Sequence, residues 1–340
     1  MKPKNLVYIG NNLLHSAVTV TTINLLSNLL RKEGHQVVIS SSAKDKGMRL
    51  VEMVKTVIQK RNWANVVLID TYSTANFWYA YVIAKLCRRL GIPYIPILHG
   101  GNLPNRLEQT PKAAEAIFKY AFINVAPSGY LKESFLKNKF SNTILIPNTI
   151  EIDRYTYTQR DINTPKLLWV RSFAQLYNPI LALKTLELIL NDYPNAQLCM
   201  VGPDKDGSQK ECFAYAEEKN LPVTFTGKLE KEVWIKLAEE YNIFLSTTNF
   251  DNTPVSVIEA MALGLPVIST NVGGVPFLID DNVDGMLVEK DRPDQIRDRV
   301  EQLMNNEQQR RLLVENARNK VEKFDWAHVK HQWNDLLSSI

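Results

Sequence analysis

At 340 residues the chain is longer than one hydrophobic core usually serves, which points to two domains. Its 45% hydrophobic and 22% charged residues fit a soluble globular protein, and no apolar run is long enough to cross a bilayer. The net charge of +4 is split unevenly: residues 1–150 hold 19 Lys/Arg against 7 Asp/Glu, and the remainder 21 against 29, so a basic half that suits an anionic partner precedes an acidic one.

The first apolar stretch, Leu6 to Ile9, is too short for a leader and reads as a strand entering the loop Gly10-Asn11-Asn12. A helix over about Thr21 to Glu33 and a strand over Gln36 to Ser40 complete a βαβ unit. The dinucleotide fingerprint G-x-G-x-x-G is absent here and elsewhere, which argues against a nicotinamide or flavin dehydrogenase. Lys44 to Arg61 is amphipathic, with Leu50, Val51, Val54, Val57 and Ile58 at helical spacing among basic residues. It reads first as a surface helix packed on the sheet; a membrane-touching helix is the alternative. Val66 to Asp70 is a third strand, and Ala75 to Leu90 a helix rich in aromatics. Tyr94 to Leu98 runs into His99-Gly100-Gly101, which puts a histidine at the carboxyl end of a parallel strand, where ligands bind in open α/β sheets. Strands over Phe122 to Pro127 and Thr143 to Pro147 close this half, and the polar Thr156 to Pro165 is a linker.

Lys166 to Val170 opens the second half, and Arg171 follows at the strand's carboxyl end. Strands over Gln197 to Gly202, Val223 to Thr226 and Ile243 to Ser246 alternate with helices. The most informative segment comes next. The turn Asp251-Asn252-Thr253-Pro254 opens a helix, with Thr253 as expected N-cap and Pro254 in its first position. Gly264 ends it, the strand Pro266 to Thr270 follows, and Gly273-Gly274 forms a tight loop. The free amides and positive end of such a helix suit a diphosphate. Glu259, in the same helix, would rather serve hydroxyls such as a ribose diol, and Asp251 other hydroxyls of the same ligand. Cys87, Cys199 and Cys212 read as buried thiols in a reducing cytoplasm. His328 and His331 read as surface residues on a last helix rather than metal ligands. There is no nucleic-acid module.

An acid at Asp251, a second at Glu259, then EAMALGLPVI and NVGGVP resemble the donor-site signature of the family 4 retaining glycosyltransferases. His99-Gly100, the hinge-like Pro147-Asn148-Thr149-Ile150-Glu151-Ile152-Asp153 and the ending Phe324-Asp325-Trp326 extend the likeness. The resemblance implies an α/β chain of GT-B fold: two Rossmann-like, doubly wound parallel-sheet domains facing a cleft. Residues 1–160 would form the acceptor domain, completed by a helix at about 325–340 that crosses back, and 161–324 the nucleotide-sugar domain. It further implies that His99, Arg171 and Asp251 are catalytic. Gly10, Arg171, Asp251, Asn252, Thr253, Pro254, Val255 and Glu259 would bind the donor, Arg171 at the diphosphate and Glu259 at the ribose. Neither a metal nor a cofactor is expected beyond the nucleotide-diphosphate sugar itself. Acceptors are a carbohydrate or a lipid-linked group, with an anionic membrane surface as a further partner and the cytoplasm, or the inner face of the membrane, as location. This sequence departs from the pattern in having Asp251 where the family has Glu and Tyr177 where it has a diphosphate-binding lysine. Two other readings stay open: a nucleotide-sugar-binding protein that has lost catalysis, and an enzyme that epimerises or hydrolyses the same donor.

Overall fold

The computed structural model describes residues 2–10, 22–43 and 45–340. It forms two compact units. The first, Met1–Thr149 with Trp326–Ile340, holds β1 (Asn5–Ile9), α1 (Thr22–Lys32), β2 (Gln36–Ser40), α2 (Lys46–Gln59), β3 (Val66–Thr71), α3 (Asn76–Leu90) and β4 (Tyr94–Leu98). It continues with α4 (Leu103–Gln109), α5 (Pro111–Phe118), β5 (Asn124–Ala126), α6 (Gly129–Lys137) and β6 (Thr143–Leu145). Its strands form one parallel sheet in the order β2-β1-β3-β4-β5-β6. Strands such as β3, buried at all six residues, are near-continuous apolar runs because helices cover both faces of a parallel sheet. Helix α3 buries Phe77, Ala80, Ile83, Ala84 and Cys87, a one-face spacing. Sequence analysis named no element between His99 and the strand from Phe122; that stretch holds α4 and α5, each with a proline in its first turn. Asn11 and Asn12 of the expected ligand loop lie outside the described residues.

The second unit, Ile150–Asp325, holds β7 (Lys166–Val170), α7 (Pro179–Ile189), β8 (Gln197–Val201), α8 (Ser208–Glu218), β9 (Val223–Gly227), α9 (Lys231–Leu237) and β10 (Ile243–Ser246). After these come α10 (Val255–Ala262), β11 (Val267–Thr270), β12 (Met286–Val288), α11 (Pro293–Asn305) and α12 (Glu307–Glu322). The sheet is again parallel, in the order β12-β11-β10-β7-β8-β9. Residues 150–160, expected to close the first domain, group with the second unit. Ile150 and Tyr155, each 2% exposed, pack into a core with Phe244, Val257 and Met261. The Ile150 amide donates to the Phe324 carbonyl at 3.1 Å and the Ile152 amide to Asp325 Oδ2 at 2.9 Å.

The last helix, α13 (Trp326–Ser338), belongs to the first unit. Its Trp326, Val329, Trp333, Leu336 and Leu337 share a core with Leu6, Tyr8, Leu29, Leu30 and Ile97. Trp326 Nε1 donates to Glu33 at 3.1 Å. Helix α2 lies turned from its expected face. It buries Arg49, Met53 and Val57, while Val51 and Ile58 are 58% and 39% exposed. Arg49 can be buried because its guanidinium donates to the Ala43 carbonyl at 2.9 Å.

Candidate active site

In open parallel sheets a ligand crevice opens at the strands' carboxyl ends, where the strand order reverses. In the second unit that point is between β7 and β10, and Arg171 and Asp251 sit there, one strand end apiece. Arg171 Nη2 forms an ion pair with Asp251 Oδ2. Their side chains are 29% and 12% exposed. Asp251 Oδ1 accepts from the Asn252 amide at 2.8 Å. The Tyr177 ring, at the position of the absent lysine, lies under the Arg171 guanidinium at 4.3 Å, a cation–π contact that fixes the arginine without adding charge.

The turn into α10 is locked by its glycine partner. A Cβ on Gly274 would stand 1.9 Å from the Asn252 carbonyl oxygen, and the Gly274 amide donates to the Asp251 carbonyl at 2.8 Å. Only a bare backbone allows that approach. The capping differs from expectation. Pro254, in extended conformation, occupies the N-cap position of α10; the side chain of Thr253 caps nothing, and its buried Oγ1 has no partner among the described residues. Pro254 still suits this place, because its carbonyl receives the Val257 and Ile258 amides at 3.1 and 3.3 Å. The amides of Val255 and Ser256 find no acceptor among the described residues, which leaves donors at the positive end of the helix.

Glu259, 6% exposed, takes two donors on one oxygen: the Tyr155 hydroxyl at 2.8 Å and Lys231 Nζ at 2.7 Å reach its Oε1. Burial first, and then the Glu259 carboxylate, push the Tyr155 phenol far above its ordinary range, so it remains a donor. Neither Tyr155 nor Lys231 is marked by the sequence. They lie 104 and 28 residues from Glu259, and only the fold brings them to it.

In the first unit the order reverses between β1 and β3, and the residues there are Gly10 and Asp70. Asp70 Oδ1 accepts from the Tyr8 hydroxyl at 2.8 Å and is 2.7 Å from His99 Nε2 at the neighbouring end of β4. Gly10 has a packing reason of its own: a Cβ there would lie 2.5 Å from Asp70 Oδ2. Tyr72 stacks on the His99 ring with centroids 5.2 Å apart and planes 28° apart. Asp70 was passed over in sequence as the end of a strand; a lone carboxylate closing the run Val66 to Ile69 was the signal available. His328 and His331 are exposed on α13, and no cluster of potential metal ligands occurs among the described residues.

Residues 158–320 match the model of the family described as glycosyl transferases group 1. An uncharacterized glycosyltransferase of Methanocaldococcus jannaschii is 24% identical over 253 residues, 72% of this chain and 67% of that protein. A Campylobacter jejuni relative, named as an alpha-1,4-N-acetyl-D-galactosaminyltransferase acting on a PP-undecaprenol-linked saccharide, is 28% identical over 167 residues. That match spans 48% of this chain and 45% of the relative, so the chain spans less than half of it. Among solved structures, Anabaena HepE in complex with UDP-glucose superposes with a TM-score of 0.77 at 17% identity, covering 99% of this chain and 100% of that one. At that identity the likeness establishes the fold, which is GT-B. Residues 158–320 thus match the glycosyl transferases group 1 model, in a chain of two Rossmann-like units with the GT-B fold.

Proposed function

We propose that the chain is a retaining glycosyltransferase that moves a sugar from a nucleotide-diphosphate donor to an acceptor hydroxyl, without a resident metal. One observation carries this reading: the Arg171–Asp251 pair stands at the switch point of the second unit beside the open amides of α10. On this reading the Val255 and Ser256 amides and Arg171 neutralise the charge that builds on the departing diphosphate. Asn252, Thr253 and Pro254 shape that cradle, and the partnerless Thr253 Oγ1 supplies it with one more polar atom. Glu259 takes the ribose diol, Asp251 takes hydroxyls of the sugar, and His99 borders the reacting centre. Gly10 serves the site indirectly, by leaving room for Asp70. Retention turns an α-configured donor into an α-linkage, which agrees with the alpha linkage in the Campylobacter relative's name. Arg171→Ala and Glu259→Ala are expected to lower turnover of a nucleotide sugar roughly 100- to 1,000-fold while the protein stays folded. A panel of UDP-, GDP- and ADP-sugars, assayed for released nucleotide, checks this; near wild-type rates in both variants refute the assignment.

The second reading, a binding protein without catalysis, is favoured by one fact: the ring of Tyr177 stands where a second cation would. Tight binding of a nucleotide sugar by calorimetry, with no turnover on any acceptor, would decide for it.

For the acceptor we favour an anionic, lipid-linked saccharide used in cell-surface polysaccharide or glycolipid synthesis, with the protein working at the inner face of the membrane. The first unit carries 20 Lys/Arg against 8 Asp/Glu. On its surface Leu50, Val51, Val54, Ile58 and Val82 line an apolar groove of about 470 Å³. Lys55 lines the same groove and Lys46 on α2 is exposed, a pairing of apolar and cationic groups that fits an anionic lipid surface. Vesicles with 30% (about one in three) phosphatidylglycerol should pellet the protein more than ten times (roughly) better than neutral ones at low salt, and Val51→Glu should abolish the difference. Equal pelleting with both vesicles counts against docking.

A further inference from the structure

The reading above gives the buried carboxylate of Asp70 no role beyond the room that Gly10 leaves it, yet two donors and a stacked ring converge on its end of the sheet. Its side chain is 2% exposed and that of His99 7%. Burying a carboxylate is costly unless donors surround it. Here Tyr8, itself 0% exposed, brings one donor and His99 Nε2 the other, both to Oδ1. The imidazole is held in three further ways. The His99 amide donates to the Thr71 carbonyl at 2.9 Å, the Tyr72 ring covers one face, and β4 pairs with β3 in register from Val67–Tyr94 to Thr71–Leu98. Against an ionised carboxylate the proton of the ring must sit on Nε2. That leaves Nδ1, which makes no hydrogen bond among the described residues, as the nitrogen available to a ligand.

We propose that Asp70 is a positioning residue for glycosyl transfer: by holding Nε2–H of His99 it fixes the ring's tautomer and plane and presents Nδ1 to a hydroxyl of the sugar. The assignment rests on the reading that His99 faces substrate. Tyr8 is the far member of the chain: its hydroxyl holds the same Oδ1 that meets His99, while Oδ2 lies toward Gly10. Carboxylates that orient an imidazole in this way act through the histidine alone, so their loss and the loss of the histidine are not independent.

The test is a mutant cycle of Asp70→Ala, His99→Ala and the double variant, with Asp70→Asn as the shape-conserving control. UDP-glucose is the probe, assayed for UDP released to water, and thermal melting checks folding. In parallel, nitrogen-15 NMR of the ring reads the His99 tautomer. Asp70→Ala should lower kcat/KM about 10- to 100-fold, mainly through kcat, and add less than about threefold in the His99→Ala background. Asp70→Asn should melt like the wild type and lose the Nε2–H preference. Losses that multiply in the double variant, or a wild-type tautomer in Asp70→Asn, overturn the proposal. A fully active His99→Ala would sink the His99 reading itself. An impaired His99→Ala beside an unimpaired Asp70→Ala sinks only the role of Asp70. If the wild type leaves UDP-glucose intact, the tautomer measurement decides.

Discussion

Glu259 carries both donors on one oxygen, so Oε2 has no donor among the described residues and is open to the ribose proposed above. The arrangement makes a specific demand on Tyr155. Removing its hydroxyl, as in Tyr155→Phe, strips one hydrogen bond from a buried carboxylate, at a cost of about 1–2 kcal/mol. We expect the Kd for UDP to rise roughly 5- to 30-fold by calorimetry, while a 2′,3′-dideoxy analogue, lacking the diol, changes little. Equal losses for both nucleotides would remove Glu259 from the ribose. At this scale the sequence was informative wherever chemistry follows from local order. Asp251, Glu259 and Gly274 stand within one strand–turn–helix–strand segment, and their relation is written in their spacing. Asp70 with His99, and Tyr155 with Lys231, are joined only by sheet pairing and core packing, which local order does not encode. The N-cap of α10 failed for a different reason: Thr253 has the right chemistry, but the extended backbone at Pro254 takes the cap one residue later.

At the scale of elements, apolar runs bounded by turns identified the strands well, because both sheets are buried on two faces. The amphipathic α2 was harder. Its apolar residues outnumber what the sheet can cover, so periodicity could not say which side turns inward, and the buried line proved to be Arg49, Met53 and Val57. Helices α4 and α5 were not among the expected elements: at seven and eight residues they are too short to show a clear apolar period. The last helix makes the plainest prediction. Trp326, Val329, Trp333, Leu336 and Leu337 are each no more than 8% exposed in the first unit's core. At about 1.5–3 kcal/mol per large apolar side chain, their loss approaches the whole stability of a domain, roughly 5–15 kcal/mol. A chain ending at residue 325 should therefore unfold its first unit and keep its second. Limited proteolysis should leave a resistant fragment near residues 150–325; a resistant fragment of the first unit would contradict this.

For the whole molecule, the two units differ in charge as well as topology. The second holds 20 Lys/Arg against 28 Asp/Glu, the reverse of the first. All three cysteines are buried, and burial pushes the thiols of Cys87 and Cys212 up to about 12. Their folded-state values lie above the unfolded ones, so an unfolded chain releases protons that the folded chain keeps, and this contribution to stability is lost as pH climbs past the ordinary thiol range. The return of α13 has a different consequence, in the order in which a ribosome builds the protein. Most two-domain chains can finish their amino-terminal half while the rest is still being made. Here that half lacks part of its interior until residues 326–340 are made, whereas residues 150–325 are by then already in hand. During synthesis the later-made unit is the first able to mature, and the earlier one must wait, partly uncovered, for residues 326–340.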